Sequence, residues 1–252
     1  MWRAIAKQSL GKQPFTAVSM TLLCCRQFSS TPTTVNALNT VVITGSTRTE
    51  GAPRPILGPR VCSYICSSLE NRGHVISAVL DPTLPLLEKP HFAYSKTQVP
   101  PEMQEMADAI QEADCYVTIT PEYNHAPSPG LINTLNHFGS SLFSFKPSAI
   151  VSYSAGQWGG TRAAHALRPI LSELGCLPVS AMIHIPQVQD ILDDEGNVMG
   201  DENTRQRWDS YTERCFSQLE WWGEAARIHK KAADPFQVSP AFAKSPTERN
   251  AP

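Results

Sequence analysis

The stretch Cys115-Tyr116-Val117-Thr118-Ile119-Thr120-Pro121-Glu122-Tyr123-Asn124 decides the fold. Residues 115–120 form an apolar run with no alternating polar face, as a strand buried on both sides of a parallel sheet should. The run stops at a proline and an aromatic-polar loop, and a helical pattern follows over Pro129–Phe138 through Leu131, Ile132, Leu135 and Phe138. Two other strands end in the same manner. Upstream, Thr40-Val41-Val42-Ile43-Thr44 runs into Gly45-Ser46-Thr47-Arg48; downstream, Ala149–Tyr153 runs into Ser154-Ala155-Gly156-Gln157-Trp158-Gly159-Gly160. Three such strand ends describe one ligand crevice at the carboxyl edge of a parallel sheet.

The intervening segments alternate strand and helix at the spacing of βα units. Arg60–Asn71 has helical spacing and ends at Gly73, a C-cap residue. Val75–Leu80 reads as the second strand, Asp81–Pro101 as a long proline-bearing loop, and Glu102–Glu112 as a helix. Thr161–Leu174 is helical, and Pro169 inside it predicts a kink or a late start. Val179–Ile185 is the fifth strand, Asp190–Asp201 an acidic turn-rich loop, and Glu202–His229 a final helix rich in aromatics. The pattern predicts an α/β fold: a doubly wound five-stranded parallel sheet in the flavodoxin-like order 2-1-3-4-5. The domain occupies 40–230, between a leader at 1–39 and a tail at 231–252 that lacks periodicity and reads as disordered.

With 252 residues, 41% hydrophobic and 17% charged, the chain can bury a full α/β core. A net charge of -2 argues against a nucleic-acid partner, and no apolar run reaches the ~18–20 residues that span a bilayer. The seven cysteines include no C-x-x-C pair; Cys62 and Cys66, four apart, share a helix face and read as small reduced hydrophobes. The leader carries Arg3, Lys7, Lys12 and Arg26 with no acidic residue before Glu50, the composition of a mitochondrial transit peptide. Arg26-Gln27-Phe28-Ser29 resembles a matrix-protease site, so a mitochondrial matrix location is expected, with the cytoplasm as the alternative.

The first loop lacks the second glycine of the dinucleotide pattern G-x-G-x-x-G. Its hydroxyls and arginine (Ser46, Thr47, Arg48) suit a terminal phosphate at a helix start, or else form an ordinary polar turn. In the third-strand loop, a turn after Pro121 would expose the backbone N–H groups of Glu122, Tyr123 and Asn124 to a flat heteroaromatic edge, beside the Tyr123 ring. The glycines of Ser154–Gly160 let backbone approach such a ring closely, and Trp158 could wall the pocket.

Together these motifs resemble the NADPH-dependent FMN reductase family, flavodoxin-like enzymes that include quinone and azo-dye reductases. The resemblance runs from about Val41 to Ile185 and includes Pro129-Gly130-Leu131-Ile132-Asn133 and Leu167-Arg168-Pro169-Ile170-Leu171-Ser172-Glu173-Leu174-Gly175. It implies FMN with its phosphate at Ser46 and Arg48, its ring against Pro121, Glu122, Tyr123 and Asn124, and further contact from Ser154 and Gly156. It also implies NADPH or NADH as co-substrate, a small-molecule electron acceptor, and a homodimer or homotetramer. No catalytic acid, base or nucleophile is required, and His125 reads as a bystander. The first loop is longer than the family's, which leaves Arg54 and Arg60 as further phosphate candidates. Ile132 and Asn136 stand where the family usually has Lys and often Asp, a change expected to touch subunit packing.

Two rival readings follow from the same residues. The cofactor site would serve a non-enzymatic flavin-binding redox module equally well. Ser152-Tyr153-Ser154-Ala155-Gly156 also approximates a nucleophile elbow, with Ser154 as nucleophile and Asp190 or Asp193 and His229 in hydrolase order, although Ser152 replaces the first glycine.

Overall fold

The computed structural model describes residues 37–82, 84 and 88–239. Along the chain come β1 (Asn39–Thr44), α1 (Gly58–Asn71), β2 (Val75–Leu80), a 3-10 turn (His91–Ala93), α2 (Pro101–Glu112), β3 (Cys115–Tyr123) and β4 (Ala126–Pro127). Next are α3 (Pro129–Asn136), α4 (Ser140–Phe143), β5 (Lys146–Tyr153), α5 (Thr161–Glu173), β6 (Cys176–Pro178) and β7 (Ile183–Ile185). The described chain closes with α6 (Val188–Ile191), α7 (Glu202–Ala232) and α8 (Pro235–Val238). The strand order is β2-β1-β3-β5-β6, with β7 also on β5, and every ladder is parallel except that of β4 with β3. Counted by sheet position, this is the doubly wound order expected from the sequence.

Alternate residues of each central strand feed opposite cores. Val42, Val117 and Val151 pack with α1 and α7, through Val61, Ile65, Leu69, Phe216 and Leu219. Val41, Ile43, Tyr116 and Ile150 pack with α2, α3 and α5, through Met103, Ile110, Leu135 and Leu167. Both sheet faces are therefore covered, and the small hydroxyl residues these strands carry, among them Thr118, Thr120, Ser148 and Ser152, are buried with them. Burial of each Val, Leu or Ile side chain contributes about 1.5–3 kcal/mol, so the two cores fix the register of the strand ends that bear the loops.

Four departures from the sequence reading have physical causes. β3 does not turn at Pro121 but runs to Tyr123, because β4 folds back on it with Glu122 opposite Pro127 and Tyr123 opposite Ala126. The fifth sheet position is split: β6 pairs with Lys146–Ser148 and β7 with Val151–Tyr153, not one strand over Val179–Ile185. Bonding to β5 reaches Val179 N, which donates to Ser148 O at 2.9 Å; beyond it Gln218 of α7 accepts from Ala181 N at 3.0 Å and from Ser180 Oγ at 2.8 Å, and the chain leaves the sheet until β7. α5 passes through Pro169 rather than starting after it; the ring lies on the exposed side, where water can take up the freed carbonyl. Finally, helix continues to Ala232 and resumes at Pro235–Val238, where Phe236 packs edge-on to Phe145 at 5.3 Å. Residues 231–239 are thus ordered, while the leader at 1–36 and the rest of the tail at 240–252 lie outside the described residues.

The acidic loop after α6 docks on the first turns of α1. Arg60 Nη1 donates to Leu192 O at 3.0 Å and its other amine pairs with Asp194, and Ser63 Oγ donates to Glu195 O at 2.6 Å. Gly196, at φ +89°, comes so close that a Cβ there would sit 2.6 Å from Arg60 O. This fastening holds the start of α1 beside the end of β1.

Candidate functional site

β1, β3 and β5 are adjacent in the sheet, so their carboxyl ends bring all nine residues singled out in the sequence to one edge. The first loop is anchored before it reaches Ser46. Ser128, the N-cap of α3, donates from Oγ to Gly45 O at 2.6 Å and accepts from Leu131 N at 3.3 Å. Its own N–H donates to Thr120 Oγ1 at 3.0 Å, so the ends of β1 and β3 share one buried hydroxyl tie. A Cβ on Gly45 would fall 2.4 Å from Ser128 Oγ. Ser128 lies outside the three loop motifs, although Ser-Pro-Gly opening a helix is an N-cap signal legible in the sequence.

Ser46 is half-buried beside Gly58, where a Cβ would come 2.8 Å from Ser46 Cβ and 3.0 Å from Tyr153 Oη. Burial pushes the Tyr153 hydroxyl above its usual range, while its hydrogen bond with Ser46 acts the other way. Tyr153 thus links the first loop to the end of β5, a contact invisible in sequence spacing. Thr47 lies exposed over Gly130, and Thr44 Oγ1 donates to Asp81 Oδ1 at 2.7 Å. A cleft of about 740 Å³ opens here, lined by Ser46, Thr47, Arg48, Thr49, Pro59 and Cys62 among others.

The guanidinium of Arg48, which the sequence assigned to a phosphate, is spent on its own loop in this structure. It donates to Pro55 O at 3.3 Å, Glu50 O at 3.2 Å and Arg54 O at 3.0 Å. Arg60 is committed to the acidic loop, as above. The side chain of Arg54 is exposed and makes no hydrogen bond or ion pair among the described residues.

At the second loop, Pro121 is buried in the ladder opposite Tyr153, and Glu122 and Tyr123 remain in strand. Asn124 and His125 form the two-residue turn, both left-handed at φ 51° and 66°; such turns match the twist of a hairpin. The Glu122 carboxylate is consumed by α5. It accepts from Arg162 Nε at 2.7 Å and from Arg162 N at 3.2 Å, which places an anion on the amino end of that helix. Glu122 therefore offers a ligand only its backbone, while Tyr123 presents an exposed ring.

The third loop is clamped from behind. Ser154 Oγ donates to Gly156 O at 2.8 Å, Ser154 N to Ile185 O at 3.1 Å, and Gln187 N to Gly156 O at 3.0 Å. Gly159 and Gly160 take φ +59° and +75°, and a Cβ on Gly160 would meet Ser152 Cβ and Tyr153 N at 2.9 Å. Side chains are excluded here because the loop turns against its own strand. At Gly156 a Cβ would meet nothing within 4 Å, so this backbone faces open space beside Trp158, which is 62% exposed.

One end of the edge thus offers hydroxyls, a helix start and a free guanidinium; the other offers two exposed aromatic rings and glycine backbone. A phosphorylated flat ring fits that division of donors. The hydrolase constellation does not assemble. Ser154 follows the last residue of β5, whereas His229 lines a separate pocket with Phe145 and Lys146 at its first. Eight strand residues, about 25 Å, separate the two. Among the described residues, no group of His, Cys, Asp and Glu is placed to hold a metal ion, and no helix is long and apolar enough to cross a membrane.

Comparison with known proteins agrees with this geometry. Residues 38–190 match the model of the family described as NADPH-dependent FMN reductase. An NAD(P)H-dependent FMN reductase of Pseudomonas aeruginosa is 32% identical over 107 residues, 41% of this chain and 58% of that enzyme. A probable NADPH:quinone oxidoreductase of Oryza sativa subsp. japonica is 32% identical over 141 residues, 55% of this chain and 66% of that one. The chain thus spans little more than half the length of the first of these curated relatives. Among solved structures, the flavoenzyme NAD(P)H:(acceptor) oxidoreductase FerB of Paracoccus denitrificans superposes with a TM-score of 0.57 at 22% identity. That superposition covers 73% of this chain and 98% of FerB, a likeness of fold.

Proposed function

The chain belongs to the NADPH-dependent FMN reductase family, and from that premise we propose that it is an FMN-dependent NAD(P)H oxidoreductase delivering electrons to quinone, flavin or similar small acceptors. The observation that carries this reading is the union of three loops on adjacent strands. The cleft of Ser46, Thr47 and Thr49 adjoins the start of α1, and the exposed edge of Tyr123, Asn124, Gly156 and Trp158 lies across from it. FMN, when bound, supplies the hydride acceptance and the electron release that the protein's side chains lack.

The chain's own residues hold and orient. Ser46 and Thr47 would donate hydroxyl bonds to the phosphate, and Arg54, exposed on the same loop, would supply the charge. Arg48 is a positioning residue that shapes the loop through carbonyls 50, 54 and 55. Pro121 and the hairpin behind it would seat the ring, and Ser154 holds the Gly156 backbone that would meet it. The exposed rings of Tyr123 and Trp158 would shield it from water.

The test is direct. Purified protein should be yellow, with an FMN visible spectrum, and should oxidise NADPH or NADH in the presence of a benzoquinone over many turnovers. Flavin binding without turnover would make it a redox module instead; no flavin binding at all would remove the reading. The remaining expectations are proposals of the same kind. The composition of 1–39 supports matrix import, which amino-terminal sequencing of native protein tests. Family resemblance supports a homodimer or homotetramer, which light scattering tests.

A further inference from the structure

We infer that Cys62 and Cys66 form a peroxide-oxidisable dithiol in the wall of the phosphate cleft, whose closure to a disulfide loosens the grip of that cleft. The inference rests on the reading of the cleft as the FMN phosphate site, and its first half stands without it. Both thiols are on one face of α1, Sγ to Sγ 4.0 Å, half-buried, and neither is in a disulfide. Cys62 itself lines the cleft with Ser46, Thr47 and Arg48. The other described cysteines, at 115, 176 and 215, are fully buried and singly placed, and burial pushes each up to about 12.

The pair has divided labour built into it. Either S–H can donate to the other sulfur across the 4.0 Å gap; with Cys62 as donor, the bond holds Cys66 below the usual thiol range and pushes Cys62 up. In that arrangement Cys66 is the attacking thiolate and Cys62 keeps its proton. The step balances with hydrogen peroxide as oxidant. Cys66 sulfur takes one peroxide oxygen, the O–O bond breaks, and one water leaves with Cys66 as sulfenic acid. Cys62 sulfur then displaces that oxygen as a second water and the S–S bond forms. Two thiols and one peroxide give one disulfide and two waters.

Closure has a mechanical consequence. Residues i and i+4 of a helix have Cβ atoms about 5–6 Å apart, whereas a disulfide needs roughly 3.5–4.5 Å. The turn from Cys62 to Cys66 must tighten to form the bond. Cys62 and Ser63 on that turn both line the cleft, so tightening it displaces the cleft wall. Ser63 also fastens the acidic loop through Glu195 O.

Trypsin gives a clean readout, because Val61–Arg72 is one tryptic peptide that contains both thiols and no other cysteine. Full-length protein exposed to hydrogen peroxide should yield this peptide two hydrogens lighter, restored by dithiothreitol. Cys62→Ser should instead stop at a Cys66 sulfenic acid trapped by dimedone, and Cys66→Ser should react far more slowly. FMN affinity of the oxidised protein should fall roughly tenfold, about the worth of one charge-assisted phosphate contact, and recover on reduction. A peptide that keeps two alkylatable thiols at peroxide doses that oxidise the buried cysteines overturns the dithiol. A disulfide that forms with FMN affinity unchanged overturns the coupling. Loss of FMN binding in reduced and oxidised protein alike would indict the cleft reading and leave the dithiol standing.

Discussion

Replacing Arg48 separates two ways in which an arginine can serve a phosphate. A guanidinium that touches the phosphate acts mainly as a charge, and a lysine can replace much of it. A guanidinium that ties loop carbonyls acts by geometry, and an ammonium cannot fork to three of them. The structure shows the second arrangement, with bonds of 3.0–3.3 Å to carbonyls 50, 54 and 55. These bonds are exposed, so each is taken at the low end of the net range for a hydrogen bond, about 0.5 kcal/mol. Three of them stabilise the ordered loop by about 1.5 kcal/mol, close to a tenfold change in an equilibrium that requires the loop ordered. Arg48→Ala should therefore weaken FMN roughly tenfold, and Arg48→Lys nearly as much. Riboflavin, which has no phosphate, should change less than about twofold in both by the same arithmetic. Arg54→Ala should also weaken FMN selectively, but Arg54→Lys should restore most of the affinity. The assay is equilibrium titration of both ligands, followed by quenching of flavin fluorescence. Rescue by Arg48→Lys would show that Arg48 meets the phosphate directly, and equal losses of FMN and riboflavin would show that it supports the fold.

Three other substitutions test the framework. Gly160→Ala places a Cβ 2.9 Å from Ser152 Cβ and Tyr153 N at φ +75°; it should cost about 2–4 kcal/mol in denaturant unfolding and abolish flavin binding. Lys146→Met removes the Nζ that donates to Ile110 O and Gln111 O at 2.7 Å and Leu142 O at 3.1 Å, at the ends of α2 and α4. Gln111 O then loses its donor, while Ile110 O and Leu142 O are left to share the Tyr116 hydroxyl at 2.8 and 3.2 Å; the variant should be destabilised by about 1–3 kcal/mol with flavin affinity per folded molecule intact, since the site is at the other end of β5. Glu220→Gln probes acid stability. Burial acts to raise the Glu220 carboxyl, but hydrogen bonds from His74 and Arg72 and the Arg72 charge outweigh it and hold the group at about 2. Its folded value lies below its ordinary 4.5, so its contribution is complete above that pH and is lost as the pH falls toward 2. The gap between parent and variant in urea melts should be widest near neutrality and shrink below pH 4.5.

What was legible in the sequence was what local chemistry determines. Val41 to Thr44, Cys115 to Thr120 and Ala149 to Tyr153 are apolar because both of their faces are covered, so they announced themselves as parallel strands, and the polar loops after them followed. The hairpin at Asn124 and His125 was missed because Pro121 looks like a stop, whereas here it ends a ladder with β5 and lets β4 fold back. The split of the fifth strand was missed for a different reason. Val179 to Met182 is as apolar as a strand should be, but its ladder partner at Ala181 is a side chain, Gln218, 37 residues away.

The side chains of the candidate site divide in the same manner. Ser46, Tyr123 and Gly156 have the roles their types suggest: a half-buried hydroxyl, an exposed ring, and backbone open to a ligand. Arg48 and Glu122 do not, since the first is claimed by its own loop and the second by α5 before a ligand arrives. That claim is physically cheap for both. A guanidinium satisfied by three carbonyls keeps its charge near the cleft while it fixes the loop, and a carboxylate on the α5 amino end is neutralised by Arg162 and the helix dipole. A ligand phosphate would otherwise face an unpaired Glu122 at the same sheet edge. The bond from Glu122 to Arg162 removes that repulsion, so Glu122→Gln should leave FMN affinity nearly unchanged while it loosens the start of α5. A gain in FMN affinity in that variant, measured by the same titration, would show that the carboxylate still opposes the phosphate and that the pairing with Arg162 is too weak to mask it.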